Sequence, residues 1–378
     1  MNSPLRLWRP ICRPSCPKRN AGVPHRAISS AGGQAERREI AAKLTASAPS
    51  WWYDTRSIWP ALLMPAALVW DAATRLRWAF TRPFHPGIPV ICVGNFTAGG
   101  AGKTPAAIAI AGFLRDAGEQ PVFLTRGYGG TTKGPHLADP DKDSARAIGD
   151  EPLLLARIAP TLVAADRAEG ARAARDQGAS VIVMDDGFQN PGLAKNLSLA
   201  VIDADLGLGN EHVIPAGPLR ASLGFQLGKA DALVLVGEGA AEDHIRALAE
   251  RASLPLLEAE IIPESNSARL RAKPVIAFAG IGNPGKFFRT LEDLGVTIAE
   301  RISFGDHHSF THQDADMLLD LAARHGAQLV TTEKDMVRLE GEDRLERLKT
   351  AAIALPVKMK FKDERAIKKL ISRALVRG

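Results

Sequence analysis

Residues Ile88–Leu114 read IPVICVGNFTAGGAGKTPAAIAIAGFL. Pro89–Val93 is a continuous apolar, β-branched run, the pattern of a strand buried on both faces of a parallel sheet. Asn95–Gly102 is glycine-rich. Thr104–Leu114 has the composition of a helix, with Pro105 in its first turn, where a missing amide hydrogen costs nothing. Strand, glycine loop, Gly-Lys-Thr and helix in that order are what a nucleotide phosphate loop requires. On this reading the backbone of Thr97, Ala98, Gly99, Gly100, Ala101, Gly102, Lys103 and Thr104 wraps the phosphates of ATP. Lys103 reaches the β- and γ-oxygens, and the Thr104 hydroxyl ligates Mg2+. Thr97 stands where the usual motif has glycine, and Gly99, Gly100 and Gly102 still allow close backbone approach.

Two further strand ends carry polar chemistry. Pro121–Thr125 runs into Arg126-Gly-Tyr-Gly-Gly130, a loop that presents an arginine to an anion. Ser180–Met184 runs into Asp185-Asp186-Gly-Phe-Gln189. Open α/β sheets bind ligands at the carboxyl ends of their strands, so one of these acids is expected to hold Mg2+ directly or through water. Asp150 taken alone reads as a helix cap before Leu153–Ile158, and His307–His308 as a solvated turn or a pair of metal ligands. A competing fingerprint lies in Val275–Gly285, where Gly280, Gly282 and Gly285 form G-x-G-x-x-G after a strand, with Glu300 at the end of the next. A dinucleotide site is weighed against a second Rossmann-like unit whose glycines serve tight strand-to-helix turns, and the phosphate loop upstream favours the latter.

The net charge of +6 resembles a nucleic-acid signal until it is located. Residues 1–50 hold nine Lys/Arg against Glu36 and Glu39, a net of +7, which leaves the rest of the chain at −1. A neutral body argues against a nucleic-acid partner. Residues 1–47, rich in Arg, Pro and Ser, read as a leader outside the fold: a transit peptide, an over-extended start or a disordered tail. Three cysteines make no disulfide framework; Cys12 and Cys16 fall in that leader and Cys92 in the first strand. Residues 48–86 hold five of the six tryptophans, with Arg56, Arg75, Arg77 and Arg82 among them. Their apolar stretch Ile58–Trp70 is shorter than the ~20 residues of a bilayer span. Trp and Arg together describe an amphipathic helix lying in an anionic membrane surface, against the alternative of an ordinary packing helix.

Seven motifs then occur in order: Thr97–Pro105, Arg126-Gly-Tyr-Gly129, Gly149-Asp-Glu-Pro152, Asp185-Asp-Gly-Phe-Gln189, Pro215-Ala-Gly-Pro-Leu-Arg220, Asp306-His-His308 and Thr332-Glu-Lys-Asp335. From about Trp51 to the C-terminus the chain resembles the tetraacyldisaccharide 4'-kinases, the lipid A kinases of Gram-negative bacteria. The resemblance implies transfer of the γ-phosphoryl of ATP to the 4'-hydroxyl of a tetraacylated glucosamine disaccharide 1-phosphate, giving lipid IVA. It implies work on the cytoplasmic face of the inner membrane, peripherally anchored, with no obligate protein partner evident. It maps a catalytic pair onto Asp150 and His307, Walker B acids onto Asp185 and Asp186, and substrate contacts onto Arg126 and Arg220. Ala221-Ser222 departs from the acidic-then-proline pair expected after Pro-Leu-Arg.

The alternation of strands and helices predicts an α/β protein. The expected architecture is a doubly wound parallel-sheet P-loop domain over 87–258 and a smaller Rossmann-like α/β domain over 259–378. A connector is expected near 255–272.

Overall fold

The computed structural model describes residues 49–54, 56–264, 267–341 and 343–376. The leader expected over 1–47, with Cys12 and Cys16, lies outside the described residues. In the described residues the strands are β1 (Val90–Gly94), β2 (Pro121–Thr125), β3 (His136–Leu137), β4 (Thr161–Val163), β5 (Val181–Asp185), β6 (Leu197–Asp203) and β7 (Ala232–Val236). They continue with β8 (Leu256–Pro263), β9 (Val275–Ala279), β10 (Ile298–Ser303), β11 (Gln328–Thr332), β12 (Ala352–Leu355) and β13 (Val357–Phe361).

Nine strands form one sheet in the order β13-β8-β7-β6-β1-β5-β2-β4-β3, and four form another in the order β10-β9-β11-β12. The large sheet is parallel except at its two edges, where β13 meets β8 and β3 meets β4 antiparallel. β1 lies at its centre, paired with β5 and β6, and every residue of the strand is buried. That is why its sequence shows no polar alternation: Val90 and Cys92 pack into one apolar layer, Ile91 and Val93 into the other. The helix Lys103–Asp116 follows the glycine loop and buries Ala106, Ala107, Ile110, Ala111 and Leu114 in that second layer.

The smaller unit begins later and ends earlier than its expected bounds. Residues 256–263, read as connector, form β8 of the large sheet, and residues 352–361 form two strands in different sheets, broken at Pro356. β13 alternates Val-Lys-Met-Lys-Phe, the period-two signature of an edge strand with lysines turned out. Its Met359 and Phe361, with Ile367 and Ile371 of the last helix, pack in the apolar layer of the phosphate-loop helix. The chain therefore crosses between the two sheets twice.

The helix Trp59–Phe80 carries Ile58, Trp59, Leu62, Leu68, Val69, Trp70, Leu76 and Phe80 exposed in or beside it. Among the described residues no helix is long and apolar enough to cross a membrane.

Candidate active site

The phosphate loop leaves β1 at Asn95 and closes on the helix that starts at Lys103. Gly99 and Gly102 have φ of 113° and 87°, a region that only glycine enters without strain. At Gly102 a Cβ would also stand 3.2 Å from Ile261. Thr97, by contrast, is in a β-bridge with Leu219, and Ala98 N–H donates to the Pro218 carbonyl at 2.8 Å. Extended backbone at Thr97 needs no glycine, which accounts for the departure from the usual motif.

Lys103 is buried; its Nζ donates to the Gly99 carbonyl at 3.2 Å and lies 3.9 Å from Asp186 Oδ1. The Thr104 hydroxyl donates to Asp185 Oδ2 at 3.1 Å, while Asp185 Oδ1 is buried with no hydrogen-bond partner. Burial first, and then the charges of Glu151 and Asp186, push the Asp185 carboxyl up to about 7. A fully buried carboxylate with an orphaned oxygen, repelled by two other acids and next to a threonine hydroxyl, is the donor set a divalent cation satisfies. The residues present fit Mg2+.

Asp186 behaves differently. Burial would raise it, but Lys103 and Arg220 outweigh that and hold it below the usual carboxylate range. Arg220 Nη1 donates to Asp186 Oδ1 at 3.1 Å and to Gln189 Oε1 at 3.1 Å, and its Nε donates to the Thr97 carbonyl at 3.1 Å. Arg220, expected among the substrate contacts, thus ties the Walker B turn to the phosphate loop. Ser222 donates its N–H to Asp71 Oδ1 at 2.7 Å, and its hydroxyl accepts from Arg75 Nη2 at 2.7 Å. Trp70 donates its indole N–H to the Arg220 carbonyl at 3.1 Å.

Asp150 opens the helix Asp150–Ala156, and His307 lies in the loop after β10; the fold brings them together from the two sheets. His307 Nδ1 is 3.2 Å from Asp150 Oδ2. His307 has φ of 56°, a left-handed conformation that a histidine adopts at some cost, and its N–H donates to the Gly280 carbonyl at 3.2 Å. Its ring meets Tyr128 edge-on at 5.3 Å. His308 faces away, stacked on Phe304 at 4.7 Å and bonded to Asp314 at 3.0 Å. Burial would raise the Asp150 carboxyl, but the His307 hydrogen bond and the Lys334 and Arg338 charges overcome it and hold the group well below its ordinary value. Asp150 is therefore ionised at neutral pH.

The two halves of the site meet through Glu151, whose charge is felt at Asp185 and whose Oε1 accepts from Lys334 Nζ at 3.1 Å. Lys334 Nζ in turn lies 3.3 Å from His307 Nε2. Arg126 is exposed on the loop after β2, and its charge opposes that of the buried Arg167, whose Nε has no partner. The glycines of the competing fingerprint are occupied structurally. Gly280 N–H donates to Asp335 Oδ1 at 3.1 Å, and a Cβ on Gly282 would stand 3.4 Å from Gly100 N of the phosphate loop. Glu300 is ion-paired with His325 at 3.2 Å.

Sequence reasoning assigned no role to Lys334, Glu151 or Tyr128 although each lies inside a quoted motif, and it passed over Arg338 and Arg167. Arg338 carried no local signal: it falls two residues past the short helix Glu333–Met336 and outside every quoted motif.

The LpxK family profile, described as tetraacyldisaccharide-1-P 4'-kinase, matches residues 59–376. The tetraacyldisaccharide 4'-kinase of Nitrobacter winogradskyi is 47% identical over 324 residues, 85% of this chain and 96% of that one. That of Rhodospirillum centenum is 48% identical over 335 residues, 87% of this chain and 96% of that one. The structure of LpxK from Aquifex aeolicus in complex with ATP is 28% identical, with a TM-score of 0.65, covering 84% of this chain and 99% of that chain. With a profile match from the exposed tryptophan helix to the last helix, and relatives aligned almost end to end, this chain belongs to the LpxK family of tetraacyldisaccharide-1-P 4'-kinases.

Proposed function

We propose that the chain uses ATP to phosphorylate the 4'-hydroxyl of a tetraacyldisaccharide 1-phosphate, a step of lipid A biosynthesis. The observation that carries this reading is the meeting, through Glu151 and Lys334, of a phosphate loop with an ionised carboxylate–histidine pair. A nucleotide switch needs the first and has no use for the second.

In this reading the backbone from Thr97 to Thr104 cradles the triphosphate, and Lys103 swings from the Gly99 carbonyl onto the phosphate oxygens. Thr104 and Asp185 would hold Mg2+, with Asp186 supporting from the Lys103 and Arg220 side, and the chemistry supplied there would be neutralisation of the triphosphate's developing charge. Asp150 accepts the proton of the acceptor hydroxyl as its oxygen bonds the γ-phosphorus and the bond to the β,γ-bridging oxygen breaks, releasing ADP, with His307 orienting the carboxylate. A carboxylate held this far down is a weak base, so positioning and charge neutralisation supply most of the rate, as expected for phosphoryl transfer. Arg126, exposed on the loop after β2, and Arg220, beside Asp186, are assigned to the acceptor's anionic end.

The helix Trp59–Phe80 lies in the cytoplasmic surface of the inner membrane, its exposed Trp and Leu side chains among the lipid and Arg77 at anionic headgroups. Incubation with γ-labelled ATP and the tetraacylated disaccharide tests the assignment. Label moving into lipid supports it; label released only as inorganic phosphate refutes it.

A further inference from the structure

The residues that hold Asp150 and His307 together come from a segment to which no function was assigned, Thr332–Glu340. It leaves β11 at the junction of the two sheets. Thr332 caps the short helix Glu333–Met336, and its hydroxyl donates to Asp335 Oδ2 at 2.7 Å. Glu333 accepts the Val357 N–H at 3.1 Å, fixing the segment to β13. Val337 is fully buried in a small apolar cluster with Ile148, Leu153 and Val163, residues of the large-sheet side that flank Asp150. Glu340 accepts the Ala145 N–H at 3.1 Å. The backbone on both sides of position 338 is thereby docked against the element that carries Asp150.

From this docked backbone Arg338 reaches inward and is nearly buried, with 6% of its side chain exposed. Its Nε donates to Asp150 Oδ2 at 2.8 Å, and Nη2 also contacts that oxygen. Its Nη1 donates to the Gly280 carbonyl at 2.6 Å and to Asp335 Oδ1 at 2.8 Å. Gly280 is also the residue whose carbonyl receives the His307 N–H. One planar guanidinium therefore spans the carboxylate from one sheet and the backbone carbonyl that seats the histidine from the other. A lysine, a point donor on a flexible stem, cannot make this fork. Lys334 adds the second constraint. Its Nζ stands 3.3 Å from His307 Nε2, while Nδ1 on the other side of the ring faces Asp150 Oδ2 at 3.2 Å and Arg338 Nη2 at 3.4 Å.

We propose that Arg338 is a positioning residue for phosphoryl transfer, setting the spacing and alignment of Asp150 and His307 across the sheet junction, while Lys334 braces the far side of the imidazole. The proposal rests on the reading of Asp150 and His307 as the pair that serves the acceptor hydroxyl. The charged groups facing Asp150 are His307, Lys334 and Arg338, with Glu151 beside it, Asp335 behind the guanidinium and Asp306 beside the imidazole. Removing the guanidinium leaves Lys334 as the one fixed cation facing the carboxylate among these, so the acid limb of the rate profile moves to higher pH.

The test measures kcat, KM for ATP and the pH profile of the full chain with ATP and a tetraacylated glucosamine disaccharide 1-phosphate. Arg338→Ala is expected to lose about 100-fold in kcat, the scale of a displaced reacting group. KM for ATP stays within about twofold, the acid limb moves up, and added guanidinium restores part of the rate. Arg338→Lys is expected to lose kcat too, but with the acid limb unmoved, because charge is kept and geometry is not. Wild-type kcat in Arg338→Ala, or a rise in KM for ATP that accounts for the whole loss, overturns the proposal. If Arg338→Ala does not fold, Arg338→Lys with a native melting curve decides: full kcat overturns the proposal and a kcat-only loss supports it. Asp150→Asn run alongside separates the two levels. Full transfer by that variant defeats the underlying reading of the pair, whereas loss in Asp150→Asn with none in either Arg338 variant defeats only the positioning role.

Discussion

The Thr104 hydroxyl donates to Asp185 Oδ2 at 3.1 Å and leaves Oδ1 of the same carboxylate buried without a partner. The second residue of the phosphate-loop helix thus orients one oxygen of the last residue of β5, and the other oxygen is left for a cation to compensate. The acid pushed up to about 7 in the folded state titrates near 3.9 when unfolded. The folded protein then binds more protons between those values, so without a cation stability falls as pH rises from about 4 to 7. Asp185→Asn is expected to be more stable than the parent at pH 8 in chelator, by on the order of 2 kcal/mol, with the difference gone at pH 4. Denaturant titrations at the two pH values check this. Added Mg2+ should stabilise the parent and leave the variant unchanged.

Lys103 sits 3.2 Å from the Gly99 carbonyl, over the loop whose phosphates it would reach. Lys103→Ala removes a preorganised positive charge, an effect worth roughly 100- to 1000-fold in kcat. Label transfer from γ-labelled ATP into lipid measures it. Retention of more than a tenth of the parent rate would show that phosphate neutralisation lies elsewhere.

Gly94 ends β1 with its Cα facing Phe188, and a Cβ there would stand 2.4 Å from the Phe188 Cβ. Gly94→Ala must therefore push the Asp-Asp-Gly-Phe-Gln turn away from the phosphate loop. The expected cost is about 1–3 kcal/mol of stability, with weaker ATP binding alongside. Calorimetric titration with ATP and a melting curve read the two effects separately.

Leu62, Leu68 and Val69 are more than half exposed on the helix Trp59–Phe80. Burying one such side chain in lipid is worth roughly 1.5–3 kcal/mol, so Leu62→Glu with Leu68→Glu should lower partitioning onto anionic vesicles by at least about 100-fold. Co-sedimentation with vesicles gives the number. Turnover of a short-chain, water-soluble acceptor should survive the double change.

The large sheet was legible because its central strands are buried on both faces, and unbroken runs such as Val90–Val93 and Val181–Met184 leave no other reading. The phosphate loop was legible because its chemistry is local: eight consecutive residues carry it. β8 and β13 were misplaced because each mixes polar and apolar side chains at the margin of the large sheet, β13 as its edge strand and β8 as its neighbour, where sequence alone does not reveal the partner. The pairing of Asp150 with His307 was reached through resemblance, since 157 positions separate them and no spacing rule spans that distance. Arg338 went unread for the same reason. Its partners lie at Asp150 and Gly280, and nothing near it in sequence announces either.

The Asp71–Ser222 contact has a mechanical consequence. Ser222 offers an amide hydrogen where a proline would offer none, and Asp71 takes it. Two residues earlier, Arg220 holds Asp186 beside the phosphate loop. The tryptophan-bearing helix and the triphosphate cradle are thus joined by a strap three residues long. Were that helix seated in lipid, as proposed above, the cleft would ride at a set height above the headgroups. The sugar would climb to meet the nucleotide, because the strap leaves the enzyme little freedom to stoop.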